Sequence, residues 1–205
     1  MDKRDAVHFL QQEISRLRDE NRDLKEEVTL LRSSVRALSA LEDVIQRLTP
    51  STNVITLLDD LLTSALAVVG AEDGSLLLLD EETDQLVFAV VRGAMRQQLT
   101  GYRIPRRQGI AGWVAVNRTP VMVRDARTDP RFSPAVDERF EFLTRSMACV
   151  PLVDGDRLLG VIEALNKSSN REFTDTDRDL LTVVAQLATV AIRRAESFAE
   201  TTNAA

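Results

Sequence analysis

Few side chains in this 205-residue chain are suited to chemistry: it holds one cysteine, Cys149, and one histidine, His8. No zinc site can be built from Cys and His with so few ligands, and a lone cysteine closes no disulfide within the chain. A Cys-His nucleophilic pair would need Cys149 beside His8, and a Ser-His-Asp set would need the same histidine. No phosphate-cradling loop of the Gly-x-x-x-x-Gly-Lys-Ser/Thr type occurs. Cys149 lies between Ala148 and Val150; with no cationic neighbour to lower its pKa, it reads as a small buried hydrophobe. Three features remain. Glu163 is in strand phase with Leu159, Val161 and Leu165, on an apolar face where an unpaired carboxylate is costly, so it requires a partner. Gly109-Ile110-Ala111-Gly112 opens a predicted helix with small residues, whose free N–H groups and dipole can receive a phosphate. Glycines at a helix start also serve simply as turn residues. From Gln85 through Arg124 there is no acid but seven arginines (Arg92, Arg96, Arg103, Arg106, Arg107, Arg118, Arg124). A locally basic surface is expected there, with Arg92 and Arg107 as candidates for charge-assisted bonds to a ligand.

The elements that must position these residues begin after a separate segment. Val7, Leu10, Ile14, Leu17, Asn21, Leu24, Val28, Leu31, Val35 and Leu38 keep a heptad spacing, with Leu at every d position. Val or Ile at most a positions, with Asn21 among them, favours two parallel strands in fixed register. The g and e positions agree, since Glu13 would meet Arg18, Glu20 meet Lys25 and Glu27 meet Arg32 across a parallel dimer. Residues 1–40 are therefore expected to form a coiled-coil dimerisation helix, with His8 solvated at a b position. The stripe continues in shifted phase through Leu41, Val44, Ile45 and Leu48 to Pro50.

Residues 41–198 are expected to form one α+β domain, followed by a disordered tail, 199–205. A core-facing helix over Asn53–Val69 is closed by Gly70. Strands Ser75–Asp80 and Gln85–Arg92 form a hairpin, and a short strand runs from Tyr102 to Pro105. Next come a helix from Gly109, a strand over Pro120–Val123, and an irregular stretch, Arg124–Arg145, with a helical turn near Ala135–Phe142. Ser146–Leu152 and Arg157–Asn166 pair around Asp154-Gly155-Asp156, and a last helix is capped by Thr174 with Asp177 at N3. This order implies a central antiparallel sheet with the terminal helices on one face and two excursions roofing a pocket on the other.

Composition bounds the function. With 26 basic and 32 acidic residues the net charge is −6, which disfavours nucleic-acid binding through the whole surface. Apolar runs fall short of the roughly 20 residues that cross a bilayer, and no signal-peptide block opens the chain, so a cytoplasmic protein is expected.

Arg103-Ile104-Pro105, Gly109 to Gly112, Asp125 to Asp129-Pro130-Arg131-Phe132, Val150-Pro151-Leu152, Leu159-Gly160-Val161, Asn166-Lys167 and Phe173-Thr174 together resemble a GAF domain, a GAF/PAS-like fold. The resemblance is nearest to the regulatory GAF domains of cyclic-nucleotide phosphodiesterases and adenylyl cyclases, marked by Asn-Lys, a spacer, then Phe-x-x-x-Asp-Glu. Asn166, Lys167, Phe173 and Asp177 match, and Arg178 stands in place of the Glu. The resemblance implies a non-catalytic sensory module whose ligand is a cyclic nucleotide, cyclic AMP or cyclic GMP. It further implies phosphate contacts at Ile110 and Ala111, ligand-facing polar groups at Ser75, Asp137, Thr144 and Glu163, and a structural salt bridge between Lys167 and Asp177. Arg92 occupies a position where some relatives carry an acidic base-reading residue, and Phe140 replaces a polar one. GAF-type methionine sulfoxide reductases need more than one cysteine, so that enzymatic reading fails, and bilin and haem attachment lack their ligands. With no output domain expected after Ala205, the signal would leave through the homodimer or a protein partner. The alternative is a scaffold dimer whose pocket is filled by Phe140, Trp113 and Arg92. Trp113 is expected to be buried against the sheet.

Overall fold

The computed structural model describes residues 11–22, 24, 25, 28, 53–168 and 172–203. The chain divides into two units, Met1–Ala40 and Leu41–Ala205. In the first, residues 11–22 form helix α1, and residues 24, 25 and 28 are helical as well. Its heptad residues Ile14, Leu17, Leu24 and Val28 are 49%, 52%, 59% and 42% exposed, so the single chain leaves this seam uncovered. Within the helix, Arg16 pairs with Glu13 at 2.6 Å. The remaining heptad positions, His8 and the phase shift up to Pro50 lie outside the described residues.

The second unit is built on a six-stranded antiparallel sheet. Helix α2 (Val54–Val69) starts because the Asn53 side chain accepts from the Ile55 and Thr56 amides at 3.0 and 3.3 Å. It stops at Gly70, which adopts φ 69° as residues with a Cβ rarely do. The chain then runs through β1 (Ala71–Asp80), β2 (Gln85–Arg92), α3 (Arg96–Leu99), β3 (Arg103–Pro105), α4 (Gly109–Asn117) and β4 (Val121–Val123). A 3-10 turn over Ala126–Thr128, α5 (Ala135–Phe140), β5 (Met147–Asp154), β6 (Arg157–Lys167) and α6 (Asp175–Asn203) complete it. The strand order is β3-β2-β1-β6-β5-β4. At the centre β1 and β6 approach so closely that a Cβ at Gly160 would collide with the Leu77 carbonyl oxygen.

Helices α2 and α6 cover one face, burying Leu58, Leu62, Leu66 and Val69 from the first and Leu181, Leu187, Ala188, Ala191 and Ile192 from the second. Each such Leu, moved out of water, stabilises the fold by roughly 1.5–3 kcal/mol. Thr174 and Asp177 form a reciprocal cap at the start of α6: the Thr174 amide donates to Asp177 Oδ2 at 2.7 Å and the Asp177 amide to Thr174 Oγ1 at 3.3 Å. Lys167 ion-pairs with Asp177, which ties β6 to α6.

Three expectations need correction, and one element, α3, carries no sequence signal. Residues 199–203 continue α6 rather than forming a tail, since Ala199 to Asn203 includes neither Gly nor Pro to end the helix. Strand β1 begins at Ala71, not Ser75, because Ala71 and Asp73 pair with Lys167 and Leu165; cross-strand pairing overrides the loop-like Glu72-Asp73-Gly74. The single turn α3 had no amphipathic signal in four residues. A register shift between Leu152 and Val153 places Leu158, not Leu159, in the buried cluster with Val161.

Candidate functional site

On the sheet face away from α2 and α6, the two excursions roof a partly open cavity of about 80 Å³. Its floor is Gly74 and Ser75 of β1, Glu163 and Leu165 of β6 and Met147 of β5. Phe88, Val91 and Arg92 of β2, with Met95, Leu99 and Ile104, form one wall, and Gln108 to Ala111 the next. Phe132, Ser133, Val136, Asp137, Phe142 and Thr144 close it as a lid. Ser75, Arg92, Ile110, Ala111, Asp137, Thr144 and Glu163 are far apart in sequence, and all seven line this one cavity.

Glu163 sits between Ser75 and Cys149, its direct partners on β1 and β5. The Ser75 hydroxyl donates to Glu163 Oε2 at 2.7 Å and is its one hydrogen-bond donor among the described residues. Burial pushes the Glu163 carboxyl up to about 7, against the opposing effect of that bond. Burial, then the nearby Glu163 charge, raises the Cys149 thiol well above its ordinary range, so it is a poor nucleophile.

Asp137 and Thr144 face each other. The Thr144 amide and hydroxyl donate to the Asp137 carboxylate at 2.9 and 2.7 Å, and Arg127 adds a third bond at 3.2 Å. These two residues hold the lid closed on itself. At α4 the N-cap residue Gln108 makes no side-chain cap bond, so the first-turn amides beside the cavity are left for another acceptor. Arg131 lies 4.8 Å over the Trp113 ring and Arg139 5.4 Å over Tyr102, pinning the lid to α4 and to the segment before β3.

The basic surface expected from Gln85 to Arg124 is largely neutralised: five of the seven arginines are paired with acids, while Arg107 and Arg118 are exposed. Arg92 and Arg96 pair with Asp59, Arg103 with Asp80, Arg106 with Asp84 and Arg124 with Glu172, because the fold brings acids from outside the stretch against it. Arg107 is exposed and stands away from the cavity wall. Arg92 reaches the wall, but its guanidinium is bidentate on Asp59, both contacts at 2.5 Å. The occlusion expected from Phe140 and Trp113 is also corrected: neither lines the cavity, and Phe140 packs edge-on against Tyr102 at 5.0 Å. Phe132, which the resemblance marks without giving it a cavity role, and Phe142, which no sequence signal distinguishes, line it instead. Asp59 was missed too, as one acid on the flank of an apolar stripe gives no hint of a strand residue 33 positions away.

Among the described residues, no group of three or more His, Cys, Asp or Glu is placed to hold a metal ion, and no helix is long and apolar enough to cross a membrane. Curated relatives match part of the chain, two of them phosphodiesterases. The dual 3',5'-cyclic-AMP and -GMP phosphodiesterase 11A of Takifugu rubripes is 36% identical over 99 residues, 47% of this chain and 11% of that protein. The cone cGMP-specific 3',5'-cyclic phosphodiesterase subunit alpha' of Mus musculus is 34% identical over 85 residues, 42% of this chain and 10% of that protein. The matched stretch is thus about a tenth of those proteins' length. Among solved structures, the free methionine-R-sulfoxide reductase of Neisseria meningitidis shares the fold with a TM-score of 0.64 at 24% identity, over 78% of this chain and 89% of that one. The GAF domain family itself matches residues 53–192, from the cap of α2 to the last buried turn of α6, and the chain belongs to that family.

Proposed function

We propose that this chain is a non-catalytic regulatory module that takes a cyclic nucleotide into its cavity and works as a parallel dimer joined through the heptad helix. The observation that carries the reading is the convergence of the seven residues on one cavity. There the open amides of α4 suit a phosphate, and Glu163, Ser75, Asp137 and Thr144 supply the polar groups. The names of the two phosphodiesterases support the ligand class. The uncovered seam on α1 supports the dimer.

The lid is part of the cavity lining, through Phe132, Ser133, Val136, Asp137, Phe142 and Thr144, and Arg131 pins it on Trp113. Binding is thereby linked to the segment from Arg124 to Arg145.

Thermal unfolding of the full chain with cyclic AMP, cyclic GMP and cyclic dinucleotides tests the ligand. At 100-fold above the dissociation constant, linkage contributes about 2.7 kcal/mol, a midpoint rise of roughly 5–11 °C. Absence of any shift at millimolar concentrations would reject the ligand class. Sedimentation equilibrium tests the dimer, and a monomer at micromolar concentration would reject it.

A further inference from the structure

Neither α2 nor α6 contributes a residue to the cavity wall, since both lie across the sheet. A ligand therefore needs some other connection to affect them. Among the described residues, one cavity-lining side chain is bonded to either helix: Arg92, at the end of β2, donates Nε to Asp59 Oδ1 and an Nη to Asp59 Oδ2 on α2. Two of its five N–H groups are thus used, and three remain on the guanidinium of a wall residue.

The carboxylate has a second cation in reach. Arg96, the first residue of α3, donates to Asp59 Oδ2 at 3.2 Å. The Asp59 side chain is only 16% exposed, so leaving it unpaired would be costly. With Arg96 present, Arg92 can leave without orphaning that charge.

We propose that Arg92 is an exchangeable latch between cavity and helix layer: an anionic group of a ligand draws its guanidinium away from Asp59, Asp59 falls back on Arg96, and α2 loses its tie to β2. This rests on the reading that the cavity takes an anionic ligand. It deepens that reading by naming the route from the cavity to the helix that follows the N-terminal unit. Reciprocity dictates its signature, because whatever weakens the Arg92–Asp59 pair must strengthen ligand binding by the same factor.

The test uses the full chain as wild type, Asp59→Asn, Arg92→Gln, Arg96→Gln and the Asp59→Asn/Arg92→Gln double variant. With cyclic GMP and cyclic AMP as calorimetric probes, Asp59→Asn should bind about tenfold tighter and Arg92→Gln about tenfold weaker. The double variant should match Arg92→Gln, and Arg96→Gln should bind more weakly than wild type, since the fallback is gone. If wild type binds and Asp59→Asn binds equally or more weakly, the exchange is overturned. Hydrogen exchange without nucleotide provides an independent arm: Arg92→Gln should speed amide exchange in α2 about tenfold while leaving α6 unchanged. Unchanged exchange in α2 overturns the latch. If no variant binds either nucleotide, the cyclic-nucleotide reading falls, and the latch stands or falls on α2 exchange.

Discussion

On β6, Ile162 and Ala164 point toward α2 and α6, while Val161, Glu163 and Leu165 point toward the cavity side. The helix side is closed by long apolar stripes and holds the fully buried Leu58, Leu62 and Leu181. The cavity side is closed by short elements and loops, and it keeps Glu163, Ser75, Asp137 and Thr144 out of bulk water. Alternate residues of one strand thus serve opposite ends. Both faces bury apolar side chains, Leu77, Leu86, Val114 and Val161 among them on the cavity side, but that side also retains space and buried polar groups, which cost stability.

The contrast can be broken most directly from the helix side. Leu58→Ala should cost about 2–5 kcal/mol in urea unfolding, as expected for a cavity cut into a close-packed layer. A cost under about 1 kcal/mol would mean that the layer is loosely packed and the contrast false.

A change of opposite sign is expected at Glu163. Its folded pKa of about 7 exceeds the ordinary 4.5, so its contribution is fully present below the unfolded pKa and is lost as pH rises through about 7. The ionised carboxylate, with Ser75 as donor and Cys149 opposite, then weighs on the fold by about 3 kcal/mol. Glu163→Gln should therefore be more stable than wild type at pH 8 by up to about that amount and no more stable at pH 4. The same difference at both pH values would show that Glu163 is not held protonated by burial.

The smallest effect belongs to the lid. Thr144→Val removes a hydroxyl donor from Asp137 and should cost about 1–2 kcal/mol. It should also quicken proteolysis within Arg124–Arg145. A stability loss with no change in cleavage there would place Thr144 with the helix-side core rather than with a movable lid.

Much of this architecture was legible because its signals are local. The Thr174–Asp177 cap, Gly70 after α2, the Asp154-Gly155-Asp156 turn and the alternation on β2 each follow from residues a few positions apart. The seven cavity residues were legible through motif resemblance, and Glu163 also through its phase, since a carboxylate in an apolar face must have a partner. The partner itself, Ser75, lies 88 residues away and is set by the register of β1 on β6. The arginine stretch misled for the same reason: its neutralising acids, Asp59, Asp80, Asp84 and Glu172, are distant in the chain and adjacent only in the fold.

By itself, the sequence determined the heptad segment, the α+β order of elements, the exclusion of Cys-His metal sites and paired-thiol chemistry, and which polar residues needed partners. These depend on residue type and short-range period, which the unfolded chain already carries. Only the tertiary structure decided that Arg92 answers to Asp59, that Phe132 and Phe142 rather than Phe140 and Trp113 face the cavity, and that the cavity lies under a lid pinned by Arg131 and Arg139. Those outcomes depend on strand register, a bulge and the path of two excursions, which are settled by packing between residues that the sequence does not bring together.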